Sequence, residues 1–118
     1  MIELTGLDGS ALHVAADGIF RLRPPLPSEG GAAHVDYSGG YLLTREPIDA
    51  LLARLAAAGV RLVAFTTRAG ASVYLNRAAV ASFRAAPPIN APGTEIVVGS
   101  LYQHVVETLA EVQARLAG

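Results

Sequence analysis

The apolar positions of this chain change period several times, and each change marks an element. Ile2-Glu3-Leu4-Thr5 alternates apolar and polar, the pattern of a half-buried strand. Gly6-Leu7-Asp8-Gly9-Ser10 is turn chemistry, with Asp-Gly suited to positive φ. Ala11-Leu12-His13-Val14 reads as a second strand, and Asp17-Gly18 turns the chain into a third that starts at Ile19 and Phe20. Pro24-Pro25-Leu26-Pro27-Ser28-Glu29-Gly30-Gly31 cannot continue a sheet, because proline donates no hydrogen bond. Residues 24–31 are therefore expected as an exposed loop. Ala33–Tyr37 alternates again, and Ser38-Gly39-Gly40 turns it back into Tyr41-Leu42-Leu43. The period then lengthens. Thr44 is expected as a helix N-cap and Pro47 in the first turn, with Ile48, Leu51, Leu52 and Leu55 on one face and Gly59 as the stop.

The chain then resembles itself. Shifted by 61 positions, Thr5 meets Thr66, Gly9 meets Gly70, Arg23 meets Arg84, Pro27 meets Pro88, Tyr41 meets Tyr102 and Glu46 meets Glu107. Ala53-Arg54-Leu55-Ala56 meets Ala114-Arg115-Leu116-Ala117. The second half accordingly predicts strands at 62–66, 72–75, 80–83 and 94–98, with a proline loop at 86–93. Residues 101–117 carry two readings. Ser100 and Gln103 form a capping box before a stripe of Leu101, Val105, Leu109, Val112 and Leu116, which predicts one long helix. The repeat predicts a strand to about residue 105 and then a helix, and it is preferred. The expected fold class is α+β: a strand-rich unit, antiparallel strands followed by one helix, duplicated in tandem as 1–59 and 60–118. Gly59-Val60-Arg61 is too short a linker for independent domains. One domain spanning 1–118, with a shared core about a pseudo-two-fold axis, is expected, since a unit of about 60 residues buries little alone. Homodimerisation is a second route to the same burial.

Composition narrows the chemistry. Hydrophobic residues make up 52% of the chain and charged residues 16%, which argues for a folded core and against disorder. All nine basic residues are arginine, which with abundant Ala, Gly and Pro suggests a GC-rich bacterial genome. The absence of cysteine excludes disulfides, thiolate chemistry and cysteine zinc sites. The start, Met1-Ile2-Glu3-Leu4, has no signal-peptide pattern, and no apolar run is long enough to span a membrane, so a cytoplasmic location and no membrane contact are expected. Net charge is −1, but residues 1–59 are acidic and 60–118 basic on balance. Such an asymmetry suits either scatter or opposite charges that help the halves, or two chains, meet face to face.

No motif announces catalysis. His34 and Asp36 share a strand face at i, i+2, which reads as a solvated face in preference to a metal pair. Gly6-Leu7-Asp8-Gly9 links two strands and has no helix behind it to hold phosphate. Glu46 and Glu107 recur before the helices, where a dipole favours carboxylates, with a paired acid site between the halves as the alternative. Tyr41 and Tyr102 recur with them and are expected in the core with satisfied hydroxyls. Arg21 and Arg23 share a face, and with Arg84 form the candidate patch for a partner or nucleic acid.

Ile2-Glu3-Leu4-Thr5-Gly6-Leu7-Asp8-Gly9-Ser10, the Gly-centred hairpin at Ser38-Gly39-Gly40-Tyr41 and Arg45-Glu46 leading into a helix form one set of family features. Val73-Tyr74-Leu75-Asn76, Thr94–Val98 and Val106-Glu107-Thr108 form another in the second half. On these segments each unit resembles the FlbD family of small bacterial flagellar and swarming-motility proteins. The chain departs from that pattern by holding two units and by placing Ala15 where the family has Asn after the second strand. The resemblance implies a small accessory protein acting through contacts, with no catalytic residue and no cofactor. The expected function is a non-enzymatic binding or regulatory module for a protein partner. The alternative is a nucleic-acid binder using Arg21, Arg23 and Arg84.

Overall fold

The computed structural model describes all residues, Met1–Gly118. Its strands are β1 (Ile2–Thr5), β2 (Ala11–Val14), β3 (Ile19–Arg23), β4 (Ala33–Tyr37) and β5 (Gly40–Thr44), followed by helix α1 (Ile48–Ala57). Then come β6 (Leu62–Thr66), β7 (Ser72–Asn76), β8 (Val80–Ala85), β9 (Thr94–Val98) and β10 (Leu101–Val105), and helix α2 (Leu109–Ala117). The element order is the same in the two halves, down to a 3-10 turn before the third strand of each, at Ala16–Gly18 and Arg77–Ala79. Individual hydrogen bonds recur as well. Gly6 N–H donates to Ser10 O as Thr67 does to Ala71, and Ser38 donates to Gly18 O as Gly99 does to Ala79. Each third strand carries a bulge at the same place, between Ile19 and Arg21 and between Val80 and Ser82. No helix is long and apolar enough to cross a membrane.

The strands form three antiparallel sheets. The largest runs β5-β4-β3-β7-β6, and so draws three strands from the first half and two from the second. Its seam is the β3–β7 ladder, with Arg21 opposite Leu75 and Leu22 opposite Tyr74. The other sheets are β10-β9-β8 and the hairpin β1-β2. A latch closes the seam at one end, where the buried Asn76 carboxamide donates to Ile19 O at 2.7 Å and its oxygen accepts from Ala78 N–H at 3.0 Å.

The expected shared core is corrected: there are two hydrophobic clusters. One joins Leu4, Leu22, Val35, Leu51 and Leu55 among others, all from the first half but for Val60 at the junction. The second joins Phe65, Val73, Leu75, Ile96 and Val112 among others, all from the second. Strand alternation explains the division. Leu22 and its neighbour Tyr74 pack toward the first cluster, while Leu75, next along β7, enters the second. The seam therefore has one core on each face. The expected two-fold axis is not realised in strand pairing either, because β8 and β2, the counterparts of β3 and β7, do not pair.

The helices cover the clusters with Leu51 and Leu55 in α1 and Val112 and Leu116 in α2. A fully buried side chain of this size contributes about 1.5–3 kcal/mol over an exposed one. Helix α1 ends as expected at Gly59, whose φ is +86°. Gly59 N–H donates to Ala56 O and Val60 N–H to Leu55 O, the paired bonds of a Schellman end. The expected start is corrected. Thr44 closes β5 instead of capping α1, because its carbonyl accepts from Ala32 N–H at 2.7 Å and keeps it in the sheet. At the C-terminal end the strand-then-helix reading is right, and the capping box lies at Thr108 and Glu111 instead of Ser100 and Gln103.

Candidate functional site

Strand β4 alternates between two environments. Ala33 and Val35 enter the first cluster, so His34 and Asp36 point to the opposite face of the sheet. That face was expected to be solvated. Instead His34 is 4% and Asp36 6% exposed. Two structural features cover them. The Tyr41 ring stacks on His34 at 4.8 Å, and the loop after β3 folds back to bring Glu29 onto the strand.

The result is a connected charge network. Arg21 Nε donates to Asp36 Oδ2 at 2.7 Å, and its Nη1 donates to Gln103 Oε1 on β10 at 2.6 Å. His34 Nε2 lies 3.0 Å from Asp36 Oδ1, and Nδ1 lies 3.0 Å from Glu29 Oε2. Arg23 Nη1 donates to Glu29 Oε1 at 3.2 Å. Two guanidinium groups thus face two carboxylates around one imidazole. Both ring nitrogens donate only when the ring carries two protons. Glu29 and Asp36 approach opposite sides of the ring, so these three groups surround His34 and do not converge on a point where an ion could sit. With both nitrogens occupied and the ring buried, His34 acts as a brace for the loop.

Glu29 is the clamp. Its carboxylate also accepts from Leu26 N–H at 2.8 Å, which closes the turn in the loop. That bond, with those from His34 and Arg23, outweighs partial burial and holds its pKa below the ordinary 4.5. A lowered carboxylate pKa gives a contribution present in full above 4.5 and lost as pH falls through the lowered value. Below that window Glu29 should take up a proton and release the loop. The Leu26 amide resonance should shift with pH there in the native chain and stay still in Glu29→Gln. A Leu26 shift that is the same in both chains would remove Glu29 as the clamp. Gly31 permits the fold-back, since its φ is +88° and a Cβ there would lie 2.5 Å from Thr44 O.

The clamp holds an apolar surface in place. Residue 24 leaves β3 beside the start of β7, so the seam sets the loop against the β6–β7 turn. Pro24, Pro25, Leu26 and Pro27 on one side and Ala69 and Ala71 on the other line a hollow of about 230 Å³. Leu26 is 55% exposed at its edge. The second proline loop is held differently, by Arg68 Nη2 donating to Asn90 O at 2.6 Å and His104 Nε2 donating to Pro92 O at 2.9 Å. Its apolar tip, Ile89, is 89% exposed.

The other residues singled out from the sequence do not gather into one site. Arg21 and Arg23 are both committed to the network, whereas Arg84 lies on the three-stranded sheet, paired with Glu95 at 3.1 Å and with its side chain 68% exposed. Tyr41 and Tyr102, expected in the core, are 61% and 73% exposed, because each lies on the sheet face turned away from its own cluster. Glu46 and Glu107 serve their own halves. Arg54 binds Glu46 at 2.7 Å and reaches Glu3 O, and Arg115 binds Glu107 at 3.3 Å and Ala64 O at 2.9 Å. Burial pushes the Glu107 carboxyl up, but hydrogen bonds from Thr66 and the charge of Arg115 outweigh it and leave the pKa lowered. The acids thus tie each helix to its sheet and form no joint site.

Glu29 and Gln103 were missed. Glu29 is followed by two glycines and stands five residues before His34, a spacing that lets a carboxylate fold back onto the strand. Gln103 carried only a helix-capping signal, because its partner Arg21 is distant in sequence. Comparison with protein-family models, curated proteins and solved structures finds no match to this chain.

Proposed function

We propose that this chain is a non-enzymatic binding module that recognises a protein partner through the hollow between the 24–27 segment and the β6–β7 turn. One observation carries this reading: an exposed leucine beside an apolar hollow, on a loop fixed by buried charge pairs. A loop already ordered before contact loses little further entropy on binding, which favours affinity. The apolar lining suits a hydrophobic side chain of the partner. The repeated element order and turn hydrogen bonds support an origin by tandem duplication. With the FlbD-like segments, they favour a bacterial cytoplasmic accessory role.

The test is cross-linking in cells that express the native chain, with Leu26→Asp and Ala69→Asp as matched controls. Proteins joined to the native chain should fall at least about tenfold in both variants, the effect of burying a charge in an apolar contact. Equal recovery from all three would overturn the reading. The nucleic-acid alternative has its own assay, anisotropy of labelled single- and double-stranded oligonucleotides at low salt. Saturable binding that weakens steeply with salt and is lost in Arg84→Ala would replace the protein-contact reading.

A further inference from the structure

Strand β3 has neighbours on both sides, β4 and β7. Its counterpart β8 has β9 on one side and no strand on the other. Likewise β7 lies between β6 and β3, while its counterpart β2 pairs with β1 alone. The chain therefore contains one completed seam and both halves of a second one, left open. The consequence is visible in burial. Ile19 and Leu22, under the completed seam, are 0% exposed. Val80 and Phe83, their counterparts on β8, are only partly buried and line an open hollow of about 180 Å³ with Arg77 and Leu116.

The β8 edge lacks most of the features that usually prevent strand addition, and its bulge between Val80 and Ser82 matches the one in β3, which still pairs with β7. It is six residues long with no proline, and its one charge, Arg84, is paired with Glu95. Ala81, Ser82 and Ala85 leave it uncrowded. The chain's own β2 cannot reach it. The β1–β2 hairpin packs on the first cluster and β8 on the second, and those clusters lie on opposite faces of the seam.

We infer that a second copy of this chain adds its β2 to the β8 edge. The β3–β7 ladder sets the register: Ser82 opposite Val14 and Phe83 opposite His13, antiparallel. The contact joins two different surfaces, so a pair of copies keeps a free β2 edge on one copy and a free β8 edge on the other, and growth is head to tail, into rings or open chains. The completed seam has a latch that this one lacks, since Ala15 stands where Asn76 donates to Ile19 O. The copy-to-copy seam is therefore the weaker, reversible one. This inference does not depend on the hollow at 24–27, which lies on the other proline loop and has its own test.

Sedimentation velocity over a concentration series tests the association, with Ala15→Asn as the gain-of-latch variant. The native chain should grow in mass with concentration. The variant should do so at about fivefold lower concentration, the worth of one net hydrogen bond. Neither measurement disturbs a core. The register is tested by mixing two single-cysteine chains, His13→Cys and Phe83→Cys, under mild oxidation. The native chain has no cysteine, and opposed strand residues lie within disulfide reach. A cross-linked dimer in the mixture, and in neither chain alone, supports the inference. A dimer of Phe83→Cys with itself would mean β8 pairs with β8 and would overturn it. So would a native chain and an Ala15→Asn variant that both stay monomeric throughout.

Discussion

Replacing Asp36 by alanine should cost about 3–5 kcal/mol of unfolding free energy, the range for breaking a buried ion pair from one side. The side chains of Arg21 and Asp36 are 14% and 9% exposed, so the guanidinium left behind loses its countercharge out of water. Gln103 still accepts one of its hydrogen bonds, which places the expected value near the lower end. His34 Nε2 loses its partner in the same step. The matched control is Glu95→Ala, which breaks the pair with the exposed Arg84 and should cost less than about 1 kcal/mol. Urea midpoints of the two variants against the native chain measure the difference. Equal costs would mean that the network contributes no more than a surface pair. The functional consequence is local, since loss of Asp36 frees His34, and His34 is one of the two side chains that hold Glu29 and its loop.

Phe65→Ala should cost about 3–5 kcal/mol, a sizeable part of the roughly 5–15 kcal/mol that stabilises a domain. Phe65 is 1% exposed in the second cluster, and the Arg115 guanidinium lies 5.7 Å from its ring centroid. The position of the loss matters as much as its size. The clusters occupy opposite faces of one sheet and share the β3–β7 seam. Amide exchange should therefore accelerate most in β6, β7, β9 and α2, and least in β1, β2 and α1. Uniform acceleration throughout the chain would show that the two clusters unfold as one unit.

Much of the chain was legible before folding. Period-2 segments marked the strands, and the Gly, Asp and Pro clusters marked the turns and loops. Comparing the halves corrected a local misreading, because residues 101–117 taken alone favour one helix while their counterparts form a strand and then a helix. The site was far less legible. The i, i+2 spacing puts His34 and Asp36 on one face and predicts that face to be wet, whereas both side chains are buried. Gly30 and Gly31 allow the loop upstream to fold back, but nothing around β4 says that it does so or that a tyrosine on the next strand covers the ring. Tyr41 and Tyr102 failed in the opposite sense, since an aromatic residue in a strand is a good core candidate only when its face meets a core.

Local periodicity determined which residues share a face, where the chain turns and where each helix stops, because these depend on neighbours a few bonds away. Only the tertiary structure decided what lies against each face. It sent β3 to pair with β7, divided the apolar residues into two clusters, buried the Arg21–Asp36–His34–Glu29 network and left the edge of β8 open. Strand pairing follows from which long-range contacts bury the most surface at once. Two edges of nearly identical pattern, β3 and β8, can therefore end with different neighbours.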